Sequence, residues 1–225
     1  MHIIYTGKTK DVFLRDDGNV LLRFKDTVTG VGDRIDSGAN EVIGEVAGKG
    51  HSSFSLTLHF FELLHDAGIP THLVSVGPDT NTIITKLARS FKLEVICRVK
   101  AWGSFVRRYG NYVREGDPLP SLVEFTLKDD EQGDPLITED ALVALNIVSR
   151  EAIDYMKGTA RQATALIAGH LNERGLELID IKYEFGDVDG QTMIIDEVSG
   201  DSMRVARHGQ ILLQTELADA LLGQV

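Results

Sequence analysis

Residues 179–185 alternate without a break, with Ile179, Ile181, Tyr183 and Phe185 on odd positions and Asp180, Lys182 and Glu184 on even ones. A period of two sends the first set to one face of a β-strand and the second to the other. The stretch is therefore a strand whose odd face seals a core while its charges share the even face. After the turn-like Asp187-Val188-Asp189-Gly190, a second β-rich run, Met193-Ile194-Ile195, ends on Asp196-Glu197. The two runs predict a hairpin. If its loop is the three residues Asp189-Gly190-Gln191, Glu184 stands directly opposite Asp196, about 5 Å away at Cβ.

Like charges in that register destabilise the pair unless something positive lies between them. Lys182 is one cation against Asp180, Glu184 and Asp196. Converging carboxylates suit Mg²⁺, which is held by one or two of them together with substrate phosphates. The alternative is a solvated polar face on an ordinary two-sided hairpin.

Three other stretches carry charge in a telling pattern. Tyr5-Thr6-Gly7-Lys8-Thr9-Lys10 lies between two strand-like runs. It lacks the spaced glycines and following helix of a P-loop, yet a glycine hairpin with two lysines can still cover phosphates; an ordinary surface turn is the competing reading. Arg98 and Lys100 precede Gly103-Ser104, which opens a short helix carrying Arg107 and Arg108. Backbone N–H groups, a hydroxyl and guanidinium groups there would make a phosphate pocket, or else a basic surface helix paired with acidic neighbours. Lys128 stands among acidic and amide neighbours in Leu127–Leu136, a pattern also found in solvated loops. These cations stand out because the chain of 225 residues has a net charge of −11, which argues against general affinity for nucleic acid or anionic membrane.

Val12-Phe13-Leu14 and Val20–Phe24 flank Asp16-Asp17-Gly18-Asn19, a good hairpin turn, whereas residues 27–50 show weak periodicity and predict a long loop. An apolar stripe predicts a helix over about 52–66, ended by Gly68 and Pro70. His59 and His65 fall on it without a third ligand at metal spacing and read as surface or satisfied core residues. Strands are expected at 72–76, 82–87 and 93–98. A second helix runs from Ser149 as N-cap to Arg174, with Gly175 after it and Ile153, Met156, Ala160, Ala163, Ile167 and Leu171 as its buried stripe. A short helix follows near 214–222. Strands first, then strands mixed with helices, predict an α+β chain in two lobes, residues 1–90 and 91–225. Cys97, the single cysteine, sits in an apolar run and reads as a buried strand residue. With no disulfide to form, no signal-peptide h-region and no apolar run near the ~20 residues of a membrane span, the expected location is the cytoplasm.

Taken in order, these motifs resemble the SAICAR synthetase family of purine biosynthesis, from Tyr5 to about Arg204. The matching elements are Gly7-Lys8-x-Lys10, Gly48-Lys49-Gly50, Ala67-Gly68-Ile69-Pro70-Thr71-His72 and Glu94-x-x-x-Arg98. They continue with Gly103-Ser104, Arg108-x-Gly110, Leu127-Lys128-x-Asp130, Asp134-Pro135, Asp180-x-Lys182-x-Glu184-Phe185-Gly186, Asp196-Glu197, Asp201 and Arg204. The resemblance implies an N-terminal, antiparallel β-rich lobe that covers ATP, a larger C-terminal α+β lobe, and an active site in the cleft. It implies ATP-dependent joining of a phosphoribosyl-aminoimidazole carboxylate to L-aspartate through an acyl phosphate, with ATP and Mg²⁺ required, and it leaves room for a homodimer.

By the same resemblance, Gly7, Lys8, Lys10, Lys86 and Glu94 bind ATP, and Glu184 and Asp196 hold the metal. Arg98, Ser104 and Arg204 hold the substrate's ribose phosphate. Lys128, Asp134 and Lys182 stand near the reacting groups. The chain departs from the family pattern at Val99, Trp102, Gly133 and Met203, which are expected around the substrate pocket. Those departures keep two alternatives open: a related ligase with a different carboxylate or amine, and a non-catalytic nucleotide-binding protein on the same fold.

Overall fold

A computed structural model describes residues 1–223. The N-terminal segment builds an antiparallel ladder from β1 (His2–Thr6), β2 (Lys10–Leu14) and β3 (Val20–Phe24). The expected hairpin turn joins the last two, with Gly18 at φ 83°. Next come β4 (Thr27–Val31), β5 (Arg34–Ile35) and β6 (Glu41–Glu45), which form a three-stranded sheet of their own. The long loop expected over 27–50 is thus corrected. Val28, Thr29 and Gly30 are all buried in succession, so β4 is covered on both faces and shows none of the alternation that would mark it as a strand.

Helix α1 (Lys49–Asp66) follows, then β7 (Leu73–Val76) and β8 (Thr82–Thr85), which complete a five-stranded sheet in the order β1-β2-β3-β8-β7. From Arg89 onward the chain builds a second, larger sheet. Its elements are β9 (Arg89–Lys100), α2 (Ser104–Tyr109), β10 (Pro118–Leu127), β11 (Leu136–Ile137), α3 (Glu139–Ala144) and α4 (Arg150–Asn172). They continue with β12 (Glu177–Val188), β13 (Gln191–Ile195), β14 (Met203–Arg207), β15 (Gln210–Ile211) and α5 (Gln214–Leu222). Strand order is β11-β10-β9-β12-β14-β15, and β13 also pairs with β12.

The alternation in β12 does what its period demands. Ile181, Tyr183 and Phe185 are buried beneath α4, whose Ile153, Met156, Ala160, Ala163, Ile167 and Leu171 are fully covered. Ser149 caps α4 as expected, its hydroxyl accepting from Ala152 N–H at 3.2 Å. Leu56, Phe60, Phe61 and Leu64 of α1 belong to the same apolar cluster, together with Leu217 and Leu221 of α5. One core thus holds residues from both ends of the chain and supports the two larger sheets. Cys97 is buried in it, and burial pushes its thiol pKa up, in keeping with a packing role.

The β12–β13 hairpin differs from the expected register. Its loop is the two residues Asp189-Gly190, with φ of 53° and 83°, the left-handed pair that a type I′ turn demands. Val188 therefore faces Gln191, and Glu184 faces Ile195 rather than Asp196.

Where α1 passes α4, His59 and His170 bring their Nε2 atoms to 2.8 Å. One ring must donate and the other accept, so the two nitrogens cannot both be protonated in this contact. Burial holds the pKa of His59 below its ordinary 6.5, and His170 and Arg174 add to the effect. Burial and then Arg174 do the same to His170. The unfolded chain therefore takes up these protons first, and the stability they contribute above about pH 6.5 is lost as pH falls below it. Urea midpoints measured at about pH 7.5 and about pH 5.5 should show this loss, with a smaller drop in His59→Gln than in the parent protein.

Candidate active site

The even face of β12 continues across the sheet as one polar surface. Pairing sets Asp180 opposite Arg98 and Glu184 opposite Glu94 across β9, while Glu124 and Thr126 of β10 lie beyond. This surface and the β1–β3 strands line a cavity of about 530 Å³. All thirteen residues singled out from the sequence border it: Gly7, Lys8, Lys10, Lys86, Glu94, Arg98, Ser104, Lys128, Asp134, Lys182, Glu184, Asp196 and Arg204.

At one end, carboxylates and ammonium groups are interleaved. Lys128 Nζ donates to Glu184 Oε1 at 2.5 Å, and Lys182 Nζ donates to Glu94 Oε1 at 3.0 Å. Lys10 Nζ bonds Glu197 and lies 3.2 Å from Asp196 Oδ1. Asp196 reaches the cavity despite the shifted hairpin register because it leaves the strand at φ 70°. Burial and the neighbouring Asp196 charge push the Glu184 pKa up. Burial acts the same way on Asp196, but Lys10, Lys128 and Lys182 outweigh it and hold that carboxyl well below its usual range. Lys10 and Lys182 keep their protons firmly: desolvation opposes their charge, and Asp196 with Glu197 in one case, and Glu94 with Glu184 in the other, overcome it.

Glu184, buried, and Asp196, partly exposed, are carboxylates that repel one another and both face the cavity, an oxygen donor set that fits Mg²⁺. Lysines neutralise them here. Among the described residues no three His, Cys, Asp or Glu side chains converge as a metal site, so a metal at Glu184 and Asp196 needs further oxygen ligands from substrate phosphate or water.

The other end is a guanidinium pocket. Arg98 is almost wholly buried, donating to Glu124 at 2.6 Å, Asp180 at 2.9 Å and Ser104 Oγ at 3.0 Å. Arg204 shares Asp180, with Nη1 contacts of 2.8 and 3.0 Å, and reaches Asp36 at 2.8 Å through Nη2. A Cβ at Gly38 would lie 2.0 Å from Arg204 Nη2, so any larger residue at 38 would push this guanidinium from its place. Between the two ends a clasp spans the cleft. Lys8 Nζ donates to Asn40 at 3.2 Å and to Asp130 at 2.7 Å, while Asn40 Nδ2 donates to Asp134 at 2.5 Å.

Of the four departures, Gly133 and Met203 line the cavity, but Val99 and Trp102 do not. Val99 packs against the core, and Trp102 borders a small groove of about 50 Å³ behind Arg204. The expectation that all four surround the substrate pocket is corrected for these two. Gly133 has φ 72°, a conformation that favours glycine. Asp36, Asn40, His72 and Glu124 also belong to the site or brace it. The sequence reading gives them no role because three lie in segments without charge periodicity, and Glu124 is a lone acid in an apolar strand.

A family model described as SAICAR synthetase matches residues 3–216. The phosphoribosylaminoimidazole-succinocarboxamide synthase of Clostridium tetani is 45% identical over 99% of this chain and 100% of its own length. The protein of the same name from Thermotoga petrophila is 42% identical over 92% of this chain and 86% of its own. Among solved structures, a type-2 SAICAR synthetase in complex with ADP superposes with a TM-score of 0.88 at 28% identity, covering 99% of this chain and 98% of that one.

Removing Arg98 strips two buried carboxylates, Glu124 and Asp180, of a shared partner. Breaking a buried ion pair from one side costs about 3–5 kcal/mol, so Arg98→Ala should lower the free energy of unfolding by that order in urea titration.

Proposed function

The chain belongs to the SAICAR synthetase family, a ligase of purine biosynthesis, and from that premise we propose how its cavity divides the reaction. The observation that carries the proposal is the convergence of all thirteen sequence-derived residues on one cavity, cations and carboxylates interleaved. Residues 1–90 cover the nucleotide and residues 91–225 carry the acceptor. Gly7, Lys8 and Lys10 of the first hairpin hold ATP phosphates, with Lys86 and Glu94 beside the nucleotide. Glu184 and Asp196 hold Mg²⁺, which when bound neutralises phosphate charge. Arg98, Ser104 and Arg204 take the ribose phosphate of the imidazole carboxylate.

The chemistry follows from this division. A carboxylate does not acylate an amine in water, because its oxygen is a poor leaving group. One carboxylate oxygen therefore attacks the γ-phosphorus, forming an O–P bond as the bond to ADP breaks. The aspartate amine then attacks the acyl carbon, the C–O bond breaks, and phosphate departs with that oxygen. Both steps demand positioning and charge neutralisation more than a covalent protein nucleophile. Lys128 and Lys182 lie beside Glu184 and Glu94, where they can stabilise charge on the transferring group. Asp134, held by Asn40 and by the Asp129 N–H at 2.8 Å, is placed to meet the amine.

Phosphates binding at Lys8 compete with Asn40 and Asp130 for its ammonium protons, which loosens that side of the clasp and leaves Asp134 on Asn40. A related ligase with another substrate pair is not favoured, given relatives of one name at 45% and 42% identity. No helix among the described residues is long and apolar enough to cross a membrane. A cytoplasmic location fits the buried, unpaired Cys97, and a homodimer fits the exposed apolar side chains of β1.

Purified protein with ATP, Mg²⁺, the imidazole carboxylate nucleotide and L-aspartate should release ADP, and omission of either organic substrate should suppress sustained turnover. Asp196→Asn should abolish this ADP release while leaving the circular dichroism spectrum unchanged. ADP release at background level by parent protein that binds Mg-ATP, or near-normal activity of the variant at limiting Mg²⁺, would contradict the assignment.

A further inference from the structure

We propose that His72 is a positioning residue that fixes the aim of Asp196, an inference resting on the reading of Asp196 as a metal carboxylate. Residues 70–72 lie alongside the end of β13 as a short parallel partner. Ile194 N–H donates to Pro70 O and His72 N–H donates to Ile194 O, both at 3.1 Å, and Thr71 bridges Ile194. That pairing stops at Ile194, two residues before Asp196. The chain then turns through φ 70° at Asp196, a conformation a non-glycine residue holds only where its surroundings fix it.

His72 supplies that constraint. Its Nε2 lies 3.2 Å from the Asp196 carbonyl oxygen, and its ring meets Phe61 edge-on at 5.9 Å between centroids. A carbonyl can only accept, so this contact requires the Nε2–H form of the ring. His72 is only 5% exposed, so water does not readily replace it as a donor. Its backbone carbonyl in turn accepts from Lys86 N–H at 2.8 Å. One residue thus connects α1, through Phe61, and the strand leading to Lys86 with the peptide that carries Asp196. Without the donor, the Asp196 peptide is free to leave its left-handed turn, and the carboxylate loses its fixed direction into the cavity beside Lys10.

Two substitutions separate aiming from packing. His72→Gln keeps an N–H donor near the Nε2 position, whereas His72→Phe keeps the ring against Phe61 and removes the donor. Mn²⁺ uptake in the presence of ADP, measured by electron paramagnetic resonance, should weaken about tenfold or more in His72→Phe and stay within about threefold in His72→Gln. Calorimetric binding of ADP without metal should be unchanged in both. Equal Mn²⁺ affinity in parent and His72→Phe, or equal losses in both variants, would overturn the role. Parent protein that takes up no Mn²⁺ with ADP would instead remove the metal reading on which it rests. Should His72→Phe fail to fold, ¹⁵N spectra of the parent imidazole decide the matter: an Nε2–H ring supports the bond, and an Nδ1–H ring overturns it.

Discussion

The antiparallel pairing of β9 with β12 is the interaction on which the rest of this molecule depends. It sets Arg98 against Asp180 and Glu94 against Glu184 on one face, and Cys97 and Val95 against Ile181 and Tyr183 on the other. The apolar face is sealed by α4, so the sheet cannot slip by one residue without burying its charges in the core. The polar face, fixed in turn, cannot be left open to the cavity unpaired, because an isolated buried charge costs several kcal/mol. Partners therefore come from every neighbouring segment: Lys10 from the first hairpin, Glu124 and Lys128 from β10 and its exit, and Arg204 from β14. The charged surface of the cavity follows from how the fold neutralises its own sheet.

That neutralisation has a functional side. Arg98 and Arg204 both lean on Asp180, and Lys128 leans on Glu184. Such pairs hold long side chains in single orientations before any substrate arrives, so less ordering remains to be done on binding. They also mean that anionic substrates enter by exchanging partners rather than by filling vacant charges. The clasp of Lys8, Asn40, Asp130 and Asp134 is the clearest instance, since a nucleotide phosphate at Lys8 competes with Asn40 and Asp130 for its ammonium protons.

Much of this was legible in the sequence where periodicity or a cap left a local mark. The β12 alternation, the Ser149-capped helix and the Asp16–Asn19 turn are each dictated by a few adjacent residues. The thirteen residues that border the cavity were legible as a set because family motifs fell in a fixed order around those elements. What escaped had non-local causes. In the β4–β6 sheet, β4 is buried on successive residues and β6 is exposed on nearly all of them, so neither carries alternation. The hairpin register turned on whether Gln191 belonged to the loop, and the left-handed turn at Asp189-Gly190 decided it. Asp196 kept its place in the cavity through a backbone angle that no pattern announces. The placement of Trp102 behind Arg204, outside the cavity, depends on how α2 enters the fold, and residue type alone does not give it.

The central claim is that these charges transfer a phosphoryl group to a carboxylate before the amine arrives. Turnover of imidazole nucleotide labelled with ¹⁸O in its carboxylate tests this directly, with the released phosphate read by ³¹P resonance. The account predicts one ¹⁸O in each phosphate released, carried across when the acyl C–O bond breaks. Amide product formed with unlabelled phosphate would contradict it.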